Sequence, residues 1–220
     1  MAHHEFEPEI YHTAIGAHEP ALTIASGDTV STTTVDAGGN DASGEAVTPG
    51  GNPQTGPFYV EGAEPGDTLA VTFDHLAPNR KVGYTSARIA PNVLDFGYRP
   101  DFEDDIRRIE WEIDFDNQTA SPMGMEGTLA DLVLPLCPMT GCFGVAPARG
   151  QAISTATSGP HGGNMDYRGF VTGVTVYLPV SVAGGLFGLG DGHAVQGDGE
   201  IVGTGIEISF DVRFTARVLK

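Results

Sequence analysis

The chain of 220 residues holds only two cysteines, Cys137 and Cys142, so a disulfide-stapled scaffold is excluded. Lysine is equally scarce, at Lys81 and Lys220. Eleven basic residues stand against 29 acidic ones, a net charge of −18. Phosphate backbones and anionic bilayers repel such a surface, so neither nucleic acid nor membrane is expected as a partner. Many carboxylates with few lysines match proteins of salty cytoplasm; a genome composition favouring arginine over lysine is the other reading. Residues 1–8 lack a basic start and an apolar core, so no signal peptide is expected. The most apolar stretch, 176–190, is interrupted by Pro179, Gly184, Gly185 and Gly188 and is too short to span a bilayer. A cytoplasmic location is the expectation. No long stretch sustains a helical period, and residues 102–108 offer at most a short helix or turn.

Glycine (31) and proline (15) are plentiful, which suits short strands joined by turns. Ile109, Trp111, Ile113 and Phe115 alternate with Glu110, Glu112 and Asp114. Residues 206–218 alternate in the same way, from Ile206, Ile208 and Phe210 against Glu207 and Ser209 onward, and predict one long strand, bent between two sheets. Leu69, Val71 and Phe73 predict another, with His75 on the same parity as a core or strand-end histidine. Residues 171–182 are apolar on both parities, as in a strand buried on both faces. Gly27-Asp28 and Gly66-Asp67 each feed a strand as a turn. Residues 37–57 read as a long loop. The predicted class is mainly β, with β-sandwich or barrel-like sheets, long loops and little helix, in one domain over 1–220.

Polar chemistry concentrates in residues 190–200, where Asp191, His193, Gln196, Asp198 and Glu200 lie on a glycine-rich backbone that folds tightly. Asp-x-His with nearby carboxylates suits Zn²⁺; the oxygen donors also suit Ca²⁺ or Mn²⁺. A solvated or Ca²⁺-stapled turn is the plain alternative. His161-Gly162-Gly163-Asn164-Met165-Asp166 forms a second cluster, where turn residues are the bland reading. Glu61 follows an apolar trio, and a half-buried carboxylate there becomes a candidate acid or base. Asp36 ends the strand beginning at Thr29. Cys142 reads as a buried structural thiol ahead of a nucleophile served by His161 or His193.

Read together, five segments resemble the acetamidase/formamidase family of amide hydrolases: 56–67 (GPFYVEGAEPGD), 141–147 (GCFGVAP), 161–166 (HGGNMD), 178–180 (LPV) and 190–200 (GDGHAVQGDGE). Gly27-Asp28-Thr29-Val30 with Asp36 fits the family's N-terminal segment. The resemblance implies a β-rich fold and hydrolysis of a small amide such as formamide or acetamide, with some relatives acting on γ-lactams. It further implies a divalent metal near the cavity, Zn²⁺ ahead of Ca²⁺, and a homodimer or larger assembly. Family members continue with a helix-containing portion past the strand that ends here at Lys220, so a second chain is expected to supply it or the specificity to differ.

The site carried over draws on Asp36, Glu61, Asn164, Asp166, Asp191, His193, Gln196, Asp198 and Glu200. The expected metal ligands are Asp36, Asp191 and His193. Glu61 or Glu200 would move the proton, Asn164 would hold the substrate amide or oxyanion, and Asp166 and Gln196 would help bind substrate. Two other classes fit the residues: a non-catalytic β-sandwich binder stabilised by Ca²⁺, and one subunit of a split amidase or γ-lactamase.

Overall fold

A computed structural model describes residues 1–86, 94–97 and 108–220. The segment 102–107, expected as a short helix or turn, lies outside the described residues. Strands dominate, and the only helical pieces among the described residues are three-residue 3-10 turns such as Asp198–Glu200. The mainly β class holds, and the sheets do not close into a barrel.

One sheet orders β1 (His3–Glu5), β4 (Thr29–Thr34), β17 (Phe210–Leu219), β6 (Thr68–Pro78) and β15 (Thr175–Pro179). A second orders β13 (Ser158–Gly159), β14 (Gly162–Asn164), β11 (Met139–Gly144), β16 (Phe187–His193), β5 (Gln54–Val60) and β3 (Leu22–Ile24). Their inner faces meet through aromatic rings. Phe214 of β17 sits edge-on to Phe58 of β5 at 5.0 Å and to Phe187 of β16 at 5.2 Å. Phe73 of β6 meets Phe143 of β11 at 5.1 Å. Each such pair contributes about 0.5–1.5 kcal/mol beyond the apolar area it buries. A four-stranded sheet, β10 (Leu134–Pro135), β9 (Thr119–Pro122), β8 (Arg108–Asp114) and β7 (Val82–Ser86), and a two-stranded pair, β12 (Ile153–Ser154) with β2 (Ala14–Ile15), complete the set.

The turn echo has a common geometry. Asp28 and Asp67 each accept the backbone N–H three residues earlier, from Ala25 at 3.1 Å and Glu64 at 2.9 Å, so both carboxylates lock the turn that starts a strand.

Five local expectations are corrected. β15 is an edge strand with alternating burial, and Tyr177 is exposed, so it is not buried on both faces. His75 is exposed because the β6–β17 register slips at Asp74: Phe73 pairs Phe214 while His75 pairs Arg213. A one-residue bulge reverses parity beyond it. β8 stops at Asp114, and Phe115 falls in an exposed turn. The last strand begins at Phe210, since residues 206–209 run as a separate buried segment bridged through Glu207 to Tyr84 and His193. The expected loop 37–57 ends at Pro53, because β5 begins at Gln54.

Candidate active site

β16 carries Phe187, Leu189, Asp191 and His193 on one parity and Gly188, Gly190 and Gly192 on the other. The first two side chains enter the core and the last two reach the site. The glycines let neighbours close against the strand: a Cβ on Gly192 would lie 2.6 Å from the Phe210 ring, and one on Gly190 2.5 Å from the Pro53 carbonyl. Facing β16 across the sheet is β11, whose Gly141 leaves the space that two carboxylates fill. A Cβ there would fall 2.2 Å from Asp166 Oδ1 and 2.8 Å from Asp191 Oδ2. Asp191 is itself in the left-handed region, φ 60°. A non-glycine residue there costs about 1–3 kcal/mol, and such outliers gather at functional sites.

The imidazole of His193 is fully buried and surrounded by acids. Its Nε2 lies 3.1 Å from Glu207 Oε1, 3.5 Å from Asp191 Oδ1 and 3.8 Å from Glu200 Oε1, yet none of these approaches with hydrogen-bond alignment. On the other side, Nδ1 lies 2.7 Å from Gln196 Oε1. The Gln196 amide N–H donates to the Asp166 carbonyl at 2.6 Å, which fixes its oxygen toward the imidazole. Nδ1 therefore carries a proton, and Nε2 is presented to the acids.

A cavity of about 300 Å³ opens beside this cluster, lined by Asn52, Tyr84, Asn164, Asp166, Asp191, Glu200 and Glu207 among others. Asn52 donates to Asp191 Oδ2 at 3.1 Å and to Asn164 Oδ1 at 3.4 Å. The acids perturb one another. Burial, then the charge of Asp191, pushes Asp166 up to about 6. Burial, then Asp166, pushes Glu200 up to about 8, and burial pushes Glu207 up to about 7. Burial opposes a charged His193, but Glu207 and Asp191 outweigh it and hold its pKa well above the usual imidazole value.

Of the residues expected at the site, Asn164, Asp166, Asp191, His193 and Glu200 converge here. Gln196 also arrives, as the support of His193 and outside the cavity lining. Three do not converge. Glu61 lies exposed in the turn after β5 ends at Val60 and has no place at the cavity. Asp36 is fully buried but engaged: Arg80 pairs with Oδ2 at 2.5 Å, and Asn40 bonds both oxygens. A guanidinium already neutralises it, which removes the reason to hold a metal. Asp198 is exposed and pairs with Arg168. Cys142 is buried, with its thiol pushed well above the usual value by burial and by Asp191, which supports the reading as a structural thiol.

Glu207, Asn52 and Tyr84 were not legible. Alternation assigned Glu207 to a wet face; only the interruption of the strand before Phe210 turns it inward. Gly205, over which a Cβ would strike the His193 ring at 2.8 Å, is the one signal in the sequence that something packs there.

Among the described residues, two groups of ligand atoms lie within metal-binding reach, Asp166–Asp191–His193 and His193–Glu200–Glu207. The buried atoms His193 Nε2, Asp166 Oδ1 and Glu207 Oε2 have no hydrogen-bond partner among the described residues. Buried polar atoms left unpaired are costly, and a divalent cation would satisfy them. The residues present fit such an ion.

Solved structures of similar proteins share this fold. The acetamidase of Bacillus halodurans is 33% identical with a TM-score of 0.80, over 98% of this chain and 70% of that one. A predicted acetamidase/formamidase of Thermoanaerobacter tengcongensis is 31% identical with a TM-score of 0.83, over 100% of this chain and 70% of that one. The formamidase of Methylophilus methylotrophus is 43% identical over 54 residues, 24% of this chain. Matches to curated relatives span only 13–15% of those proteins' own length. No helix among the described residues is long and apolar enough to cross a membrane. The family pattern matches residues 3–157 and 148–220, and the chain belongs to the acetamidase/formamidase family.

Proposed function

We propose that this chain hydrolyses the C–N bond of a small linear amide, formamide or acetamide in kind, to a carboxylate and ammonia. The observation that carries the reading is the convergence of His193 with Asp166, Asp191, Glu200 and Glu207 beside a small cavity. Family membership and the acetamidase neighbours support it.

Asp166, Asp191 and His193 would hold a divalent cation, Zn²⁺ ahead of Ca²⁺ because an imidazole nitrogen is among the donors. When bound, such an ion lowers the pKa of water and polarises a carbonyl. Gln196 keeps Nδ1 protonated so that Nε2 stays available to the site. Asn52 steadies the Asp191 carboxylate in its left-handed backbone. Glu207, with its pKa near neutrality, is suited to take a proton from the attacking water. Glu200, raised further, is suited to hold a proton at neutral pH for the departing nitrogen. Asn164 stands at the cavity wall, where its amide can orient the substrate.

The site lies within one chain; assembly into a homodimer or with a second subunit is a further part of the proposal that family membership motivates. Incubation with formamide and acetamide should release ammonia. Prolonged chelation should abolish release, and Zn²⁺ should restore it. Full activity in a sample shown free of metal would remove the cation from the proposal.

A further inference from the structure

Carboxylates crowd the cavity, yet amide hydrolysis places negative charge on the substrate oxygen. The site needs a neutral donor for that oxygen. Asn52 directs its amide at Asp191 and at the Asn164 oxygen. Thr204 Oγ1 accepts the Ser86 N–H at 3.1 Å, which anchors that side chain to β7. Tyr84 is different. It lines the same cavity, and its hydroxyl has no hydrogen-bond partner among the described residues.

Its position is rigid. The Tyr84 N–H donates to the Glu207 carbonyl at 3.1 Å, and the Glu207 N–H returns a bond at 2.8 Å, so the phenol and the Glu207 carboxylate share one register. The Arg108 guanidinium lies 3.6 Å from the ring centroid, a cation–π contact that clamps the face. Space for the hydroxyl comes from Gly38, on which a Cβ would lie 3.0 Å from the Tyr84 oxygen. Burial, then the charges of Asp36 and Glu207, holds the phenol well above its ordinary pKa, so it stays a donor.

We propose that the Tyr84 hydroxyl is the oxyanion donor of this site, bonding the substrate carbonyl oxygen and strengthening that bond in the tetrahedral intermediate. The proposal rests on the amide-hydrolysis reading. The electron balance is simple: water oxygen bonds the carbonyl carbon as the Glu207 carboxylate takes one of its protons, and the C=O π pair moves onto oxygen. That pair returns as the C–N bond breaks, with the proton for nitrogen coming from Glu200. Tyr84 keeps its own proton throughout. Preorganised donors of this kind commonly contribute on the order of 10²–10³ in turnover.

The test uses Tyr84→Phe and, as an independent route, Gly38→Ala, which leaves the phenol in place but crowds its oxygen. Ammonia release from acetamide and equilibrium binding of acetamide are measured on each. Y84F should lower kcat on the order of 10²-fold with KM changed by less than about fivefold, and G38A should lower kcat about tenfold. With thioacetamide, whose sulfur is a weak acceptor, the Y84F penalty should shrink below about tenfold. Unchanged kcat in Y84F, or an equal penalty on both substrates, would overturn the proposal. A wild-type protein that releases no ammonia sinks the hydrolysis reading instead. Binding then decides Tyr84's contact: acetamide affinity should fall about two- to tenfold in Y84F, and equal affinity refutes it.

Discussion

Glu61 and Glu200 are both carboxylates next to a glycine, Gly62 after the one and Gly199 before the other, and the fold treats them in opposite ways. Glu61 is left in solvent, while Glu200, at φ 43° in a 3-10 turn, is half-buried against Asp166 and His193. Glu200→Gln keeps the shape and removes the group proposed to pass the proton, so turnover should fall on the order of 10²–10⁴ while thermal stability at neutral pH is retained. Glu61→Gln should leave turnover and melting temperature unchanged, with stability shifted by less than ~0.5 kcal/mol. Steady-state kinetics and thermal melts on the pair check both; equal losses would contradict the site as built. At this scale the sequence marked residues 190–200 and 161–166 well, because glycine-rich polar runs beside apolar ones are visible locally. Asp36 was misread because Arg80, its partner, lies 44 positions away and nothing local announces the ion pair.

Among the elements, β1 depends most visibly on a single side chain. Asp28 accepts from His4 at 2.9 Å and from the Ala2 N–H, joining the N-terminal strand to the turn before β4. The His4 hydrogen bond, then the Ala2 N–H, holds the Asp28 carboxyl down at about 2. A folded-state pKa depressed below the unfolded value means stability that is present above about pH 4 and lost as pH falls toward 2. Asp28→Asn should therefore lower the melting temperature at pH 6 and narrow the gap to wild type as pH approaches 2. A gap that stays constant down to pH 2 would show that the carboxylate is not responsible. Period-two patterning found β6, β8 and β17, because one face of each packs on the core. It failed at the Asp74 bulge and at residues 206–209, where tertiary pairing, not periodicity, sets which side is buried. Glu207 was lost to the site reading for that reason.

For the whole molecule, two packed sheets bring residues from distant parts of the chain to one buried cluster. Asn52 and Tyr84 come from before residue 87, and Glu207 comes from near the chain's end. Sequence words in family order pointed to the fold and chemistry together, yet convergence in space was visible only in the folded chain. The most direct measurement is hydrolysis of acetamide in H₂¹⁸O by the zinc-loaded protein, following ammonium by assay and acetate by mass spectrometry. Wild type should form acetate and ammonium in equal amounts with one heavy oxygen per acetate, and E200Q should form neither at a comparable rate. No ammonium from acetamide or formamide, or undiminished release by E200Q, would contradict the role given to this acid–imidazole cluster.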